Sequence, residues 1–229
     1  MCFSATASFG AGVVLTAIGV ASLKKVQHPS QIMFAGIPLI FAIQQFSEGI
    51  LWLLLSDPDS AYFQKSITYF FLIFAQILWP IWVPVSVLLL EKQRTRKNIQ
   101  RFLVVVGLLV SGYLTYCLFN YDVYAKIDCY HIAYIQSYPE TFRIWGGLLY
   151  VIATIVPPFF SHIKRMWMLG ATVMISYLIT TLFYENYLVS VWCFFASVIS
   201  ISVFIIMWEI EKLPNSRKTI KKQLHSKSL

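Results

Sequence analysis

The chain has 229 residues, 58% hydrophobic and only 12% charged, with a formal net charge of +8. A soluble domain carries about 25% charged residues and cannot hide this much apolar surface from water. Ten Gly, nine Pro and 17% aromatics exclude collagen-like, Pro/Gly-rich and disordered chains, which leaves a bilayer as the natural solvent.

Seven apolar segments follow in order, near residues 5–23, 31–55, 66–90, 102–119, 144–161, 166–184 and 187–208. Each approaches the ~20 residues that cross a bilayer. The expected fold is an all-α integral membrane bundle of seven helices, a single domain over residues 1–211 with a basic cytoplasmic tail over 212–229. In the first segment Ser8, Gly12 and Thr16 recur every four residues, then Gly19, a small-residue stripe that lets another backbone come close. Lys24 and Lys25 follow this stretch instead of preceding it, so it is expected to stay as an N-out anchor and not to be cleaved as a signal.

The second segment places Gln44, Gln45, Ser47 and Glu48 within a membrane helix. Gln44 and Gln45 lie four and three residues before Glu48, spacings that share one helical face. Phe41 and Trp52 extend that face. A carboxylate facing lipid is costly, so Glu48 is expected to face the bundle or a wet cavity. The third segment carries Gln76 at its midpoint, within expected reach of Gln44 and Glu48, then Trp79, Pro80, Trp82 and Pro84. Two prolines four apart kink a helix and free carbonyls, an irregularity tolerated where it lines a cavity. Gln76 and the later hydroxyl stripe of Thr172, Ser176 and Thr180 read as interhelical glue. Glu48 with its two Gln neighbours reads as functional, because intramembrane acids are rare.

Between the fourth and fifth segments, Asn120 to Arg143 forms the longest loop. A β-hairpin is expected around Ile127–Gln136, turning near Asp128–Cys129, as a lid over an outward-facing pocket. His131 is its one group titrating near neutrality. The fifth segment is broken by Pro157 and Pro158. The seventh has no Lys, so it cannot hold a retinal Schiff base.

Lys and Arg orient the chain. With the N-terminus outside, fifteen of the 18 basic residues fall inside and only Lys65, Lys126 and Arg143 outside. The reading is N-out and C-in, in the inner (plasma) membrane. Trp52, Trp145 and Trp192 are expected as outer anchors, Trp167 and Trp208 as inner ones. The basic tail suits anionic lipid, and its charge is not interleaved with aromatics as nucleic-acid binding requires.

His28, His131, His162 and His225 fall in loops or the tail, which argues against helix-ligated haem. The absence of H-E-x-x-H, C-x-x-C and G-x-x-x-x-G-K-[ST] patterns argues against zinc, redox and nucleotide sites. No metal or cofactor is expected. Cys2, Cys117, Cys129 and Cys193 all lie near the outer side, where Cys117 and Cys129 could pair in an oxidising compartment.

The opening Met1-Cys2-Phe3-Ser4-Ala5-Thr6-Ala7-Ser8, then Pro38-Leu39 and the Gln-x-x-x-Glu-Gly-x-x-Trp run from Gln44 to Trp52, resemble a family of bacterial multi-pass membrane proteins. Those proteins begin Met-Cys-aromatic-Ser and carry a Glu in the second helix. The resemblance implies the same span count and points to Cys2 and Glu48. It brings no activity. Two functions remain open. One is binding or transport of a small solute or proton at Glu48, Gln44, Gln45 and Gln76. The other is a membrane-embedded enzyme or signalling module with an outer-face site at Cys2 and His131, where a terminal amine could serve as base for its own thiol.

Overall fold

The structure, a computed structural model, describes residues 4–128, 130–183, 187, 190 and 195–226, with the side chains of residues 58, 140–144 and 213–226 outside the described set. Its helices are α1 (Ala5–Leu23), α2 (Ile32–Ala35), α3 (Ile37–Leu55), α4 (Ala61–Leu72), α5 (Trp79–Leu90), α6 (Arg94–Asn120), α7 (Glu140–Phe159), α8 (Met166–Phe183) and α9 (Ala196–Ser226). Between α6 and α7 lie strands β1 (Val123–Asp128) and β2 (His131–Gln136). Among the described residues, five stretches are long and apolar enough to cross a membrane: Ala5–Leu23, Pro29–Leu55, Ala61–Leu90, Arg94–Asn120 and Met166–Phe183. Trp145–Phe159 is a shorter apolar helix.

Local chemistry sets the boundaries. Ser4 caps α1 by accepting the Ala7 N–H at 3.2 Å, as N-cap hydroxyls do. The second apolar segment breaks at Gly36, whose carbonyl accepts the N–H groups of both Leu39 and Ile40. Pro38, with no N–H, sits in the first turn of α3, where none is needed. The third segment is continuous from Ala61 to Leu90 but contains a π-helical stretch, Ile73–Leu78. Pro80 cannot donate to the carbonyls four and five residues behind it, those of Gln76 and Ala75, and side chains add bonds along this stretch. The Tyr150 hydroxyl donates to the Ala75 carbonyl at 2.6 Å and the Ser111 hydroxyl to that of Ile77 at 2.7 Å. Pro84 likewise leaves the Pro80 carbonyl without its helical donor. That oxygen presses so close to Gly107 of α6 that a Cβ there would lie 1.9 Å away.

Helices α1 and α3 pack closely along each other. A Cβ on Gly12 would meet the Phe46 ring at 2.8 Å, and one on Gly19 the Leu39 side chain at 2.5 Å. The buried stripe of α1 is Ser8, Gly12, Leu15, Gly19 and Ser22. Its alternating steps of four and three follow the true helical period, so Leu15 replaces the expected Thr16, whose hydroxyl turns back to the Gly12 carbonyl at 2.8 Å.

The linkers gather at the two ends of the bundle. At one end Lys25 pairs with Glu211 at 2.9 Å and Arg165 with Glu209 at 3.3 Å. At the other, β1 and β2 pair antiparallel with Val123 opposite Gln136 and Asp128 opposite His131. The hairpin therefore begins earlier than Ile127. Its Ile132 packs with Leu51 and Trp52 from the end of α3, and Tyr134 stacks on Phe71 at 4.8 Å.

Several expectations are corrected. Trp52 is not an exposed anchor but 8% exposed, held in that end cluster; Trp145, Trp167 and Trp208 are exposed. The fourth helix starts at Arg94 instead of 102, because Arg, Lys and Gln are good helix formers and extend it beyond its apolar run. The last helix continues through the basic stretch to Ser226. Most of 187–195 lies outside the described residues.

Candidate functional site

The prolines, the π-helical stretch and the hairpin converge on one feature. A cavity of about 770 Å³ lies under the hairpin among α3, the α4–α5 junction, α6, α7 and α8. Its walls near the hairpin include Lys126, Asp128, Tyr134, Gln136 and Tyr138, and its deeper walls include Val83, Thr154, Pro158 and Leu169. From Gly147 to Pro158, α7 alone lines about 16 Å of depth at 1.5 Å per residue.

Trp79 stands on this wall and is fixed on two sides. Its ring stacks on Phe41 with centroids 4.1 Å apart, and its Nε1–H donates to Gln44 Oε1 at 3.0 Å. Phe41 and Gln44 are three apart on α3, so one helical face grips the indole by stacking and by hydrogen bond. Trp82 is held similarly from outside the cavity: its Nε1–H donates to the Met33 carbonyl at 3.0 Å, just before the break at Gly36.

The expected cluster divides in two. Gln44 and Gln76 both line the cavity, but Gln76 bonds to the hairpin. The Tyr138 hydroxyl donates to Gln76 Oε1 at 3.3 Å, and Gln76 Nε2 donates to Gln136 Oε1 at 3.0 Å. Glu48 and Gln45 lie behind Gln44, fully buried and not among the lining residues. Ser190 donates to Glu48 Oε1 at 2.6 Å and Gln45 Nε2 to Glu48 Oε2 at 3.3 Å. The hydroxyls of Thr172, Ser176 and Thr180 turn back to carbonyls four residues earlier in α8 or its start. Thr172 also reaches Ser202 of α9 at 3.2 Å, a cross-helix contact of the glue type.

On the hairpin, His131 stacks on Tyr187 at 4.5 Å, and the Tyr187 hydroxyl donates to Asp128 Oδ2 at 3.0 Å. Burial pulls the His131 imidazole below its ordinary pKa, against the opposing pull of Asp128. Burial also pushes the Tyr138 phenol up, so it stays a protonated donor. Cys2 lies outside the described residues, as does Cys129, while Cys117 is buried with a free thiol. Among the described residues no group of three His, Cys, Asp or Glu side chains could hold a metal ion.

Glu91, which no sequence motif marks, is a buried carboxylate between α5 and α6. Its Oε1 accepts the N–H groups of Lys92 and Gln93 at 3.0 and 2.9 Å, and its Oε2 that of His162 at 2.9 Å. The His162 Nδ1 lies 2.8 Å from Oε1. Nearby, Arg96 bonds the Ser161 carbonyl and Gln100 Nε2 that of Pro157 at 2.8 Å. This network ties the α5–α6 linker to the α7–α8 linker. Gln136 and Tyr134 of β2 also line the cavity, and their spacing of two, which places them on one strand face, is the signal in the sequence that marks them.

The model of a protein family of unknown function (DUF6629) matches residues 1–219. The chain belongs to this family. Its match spans every residue of the cavity, the Glu48 cluster and the Glu91 network. No curated protein and no solved structure matches the chain, so a reading of this DUF6629 member rests on its own geometry.

Proposed function

We propose that this protein spans the inner membrane as seven helices, N-terminus outside and C-terminus inside, and binds a small solute in the cavity under its hairpin for recognition or transport. Membrane insertion is supported by an inside-out helix surface. On α6 the polar Gln100 and Ser111 are buried with Gly107, whereas Phe102, Leu108 and Leu109 are 66%, 51% and 68% exposed. Hydrocarbon stabilises that arrangement and water does not. The orientation is supported by the end of the bundle at which Lys25, Arg96 and Arg165 make their contacts, since basic residues mark the cytoplasmic side. The hairpin then roofs the outer end.

The observation that carries the binding role is the cavity itself, about 770 Å³, within the ~300–1,000 Å³ of small-molecule sites. It joins apolar walls to a few fixed polar groups, Gln44 and Gln76 among them. Glu48 supports this site from behind Gln44, with a proton-binding role as the second reading.

Native mass spectrometry of the full chain, released from a mild detergent, tests the role. The wild type is expected to retain a small molecule that Thr154→Trp, which fills the cavity from a buried lining position, loses at unchanged thermal stability. Equal retention by the two proteins would overturn binding in this cavity.

A further inference from the structure

The cavity is graded in polarity along its length. Away from the hairpin its walls include Ile37, Val83, Pro158, Leu169, Val173 and Ile199, none with a side chain that can hydrogen-bond. In the middle the polar groups already serve the protein. Gln44 takes the Trp79 N–H, the Tyr150 hydroxyl goes to the Ala75 carbonyl, and the Thr154 hydroxyl goes to the Tyr150 carbonyl at 2.8 Å. Under the hairpin the pattern changes. Tyr138 donates to Gln76 and Gln76 donates to Gln136, a chain in which each bond polarises the next. It ends at Gln136 Nε2, which is buried and has no partner among the described residues. A buried donor without an acceptor is costly, and this one belongs to a cavity-lining side chain.

Charge narrows the occupant further. Among the described lining residues only Lys126 and Asp128 are charged, both on β1, and Asp128 already accepts the Tyr187 hydroxyl. At the hairpin end their opposite charges offset each other, so an ionised headgroup of either sign would meet a like charge as well as an opposite one, and an ionised group deeper in the cavity would be desolvated without any counter-charge.

We infer that the occupant is an uncharged amphiphile bearing a carbonyl or hydroxyl oxygen on its polar end. That oxygen accepts a hydrogen bond from Gln136 Nε2, and the apolar body points away from the hairpin. The inference rests on the cavity being a binding site, as proposed above.

Three probes of matched chain length test it: a decyl-substituted benzoquinone, decanoate and decyltrimethylammonium, each titrated against the full chain in one detergent with thermal stabilisation as the readout. The quinone is expected to bind at least tenfold tighter than either ion. Gln136→Glu keeps the acceptor for Gln76 but removes the terminal donor, and should weaken quinone binding about tenfold, the scale of one lost hydrogen bond to a buried partner. Gln136→Asn, which withdraws the amide by one methylene, should act in the same direction and serves if Gln136→Glu does not fold. Thr154→Trp should abolish quinone binding. An ion that binds as tightly as the quinone, and is lost in Thr154→Trp, would overturn the uncharged class while leaving the cavity as the site. Unchanged quinone affinity in a folded Gln136 variant would overturn the placement of the polar end. Binding of none of the three probes would overturn this inference alone when the native protein retains a molecule that Thr154→Trp loses, and both readings when it does not.

Discussion

Trp79 donates its indole N–H to Gln44 at 3.0 Å across two helices, while Phe41, one turn earlier on the same face as Gln44, stacks on the ring. The pair therefore fixes α5 against α3 at the wall of the cavity. Gln44→Leu keeps much of the volume and removes the acceptor. A loss of about 1–3 kcal/mol is expected from the stranded indole donor, read as a lowered melting temperature in detergent. Gln44→Glu, which can still accept, should lose less.

Glu48 is the acceptor for Ser190 and Gln45. Glu48→Leu should destabilise the fold by about 1–3 kcal/mol, since the Gln45 amide and the Ser190 hydroxyl then lose their carboxylate acceptor. Glu48→Gln retains size and an acceptor oxygen and should be close to neutral in melting temperature. If Glu48 also carries a proton, the Gln variant will keep its stability and lose any pH-dependent flux in liposomes. Unchanged flux would leave Glu48 as support alone.

Gly107 is expected to be intolerant of any side chain. An added Cβ would lie 1.9 Å from the Pro80 carbonyl oxygen, which is backbone and has no rotamer to escape into. Gly107→Ala should reduce stability by about 3 kcal/mol or more, at the upper end of overpacking. Gly112→Ala on the same helix, with nothing within 4 Å, is the matched control and should be neutral. A Gly107→Ala melting temperature equal to that of the control would sink the close α5–α6 contact.

Glu91 makes the fold sensitive to acid. Burial raises its pKa, but the N–H groups of Gln93, His162 and Lys92 and the charge of His162 outweigh burial and hold it below the usual carboxylate range. A carboxylate depressed in the folded state stabilises fully above its unfolded value, about 4.3, and that stability is lost as pH falls through the folded value. The wild type should therefore lose melting temperature below about pH 4.3. Glu91→Gln should be less stable at pH 7 and have a flatter acid limb, seen in melts from pH 7 to pH 3.

Much of this arrangement is legible from local rules. Apolar runs of spanning length mark the helices, the alternating segment before Gln136 marks the hairpin, and the spacing from Gln44 to Glu48 places those groups inside. What was not legible depends on tertiary partners. A Glu in the basic stretch after Leu90 gives no hint that His162, 71 residues away, will close over it. Trp52 looks like an interface anchor until the hairpin covers it. The grouping of Gln76 with Gln136 and not with Glu48 follows from a rotation of the helix that no α-periodic count contains, because Gln76 lies inside the π-helical stretch.

That stretch also fixes the register between two halves of one long rod. Successive α-helical residues are set about 100° apart, and a π turn accommodates one residue more than an α turn. Were the stretch from Ile73 to Leu78 to close into uninterrupted α-helix with every residue kept, that accommodation would be lost. Everything from Trp79 to Leu90 would then swing by about 100° relative to Thr68, Phe71 and Leu72, which are buried. The Trp79 indole would leave Gln44, and the Pro80 carbonyl would leave Gly107. Across sequences of this family, a one-residue gap should therefore be tolerated inside this stretch, where α-helix can replace the π turn with the same side facing the cavity, but not in the α-helical parts of the third apolar segment, where it would turn that side away.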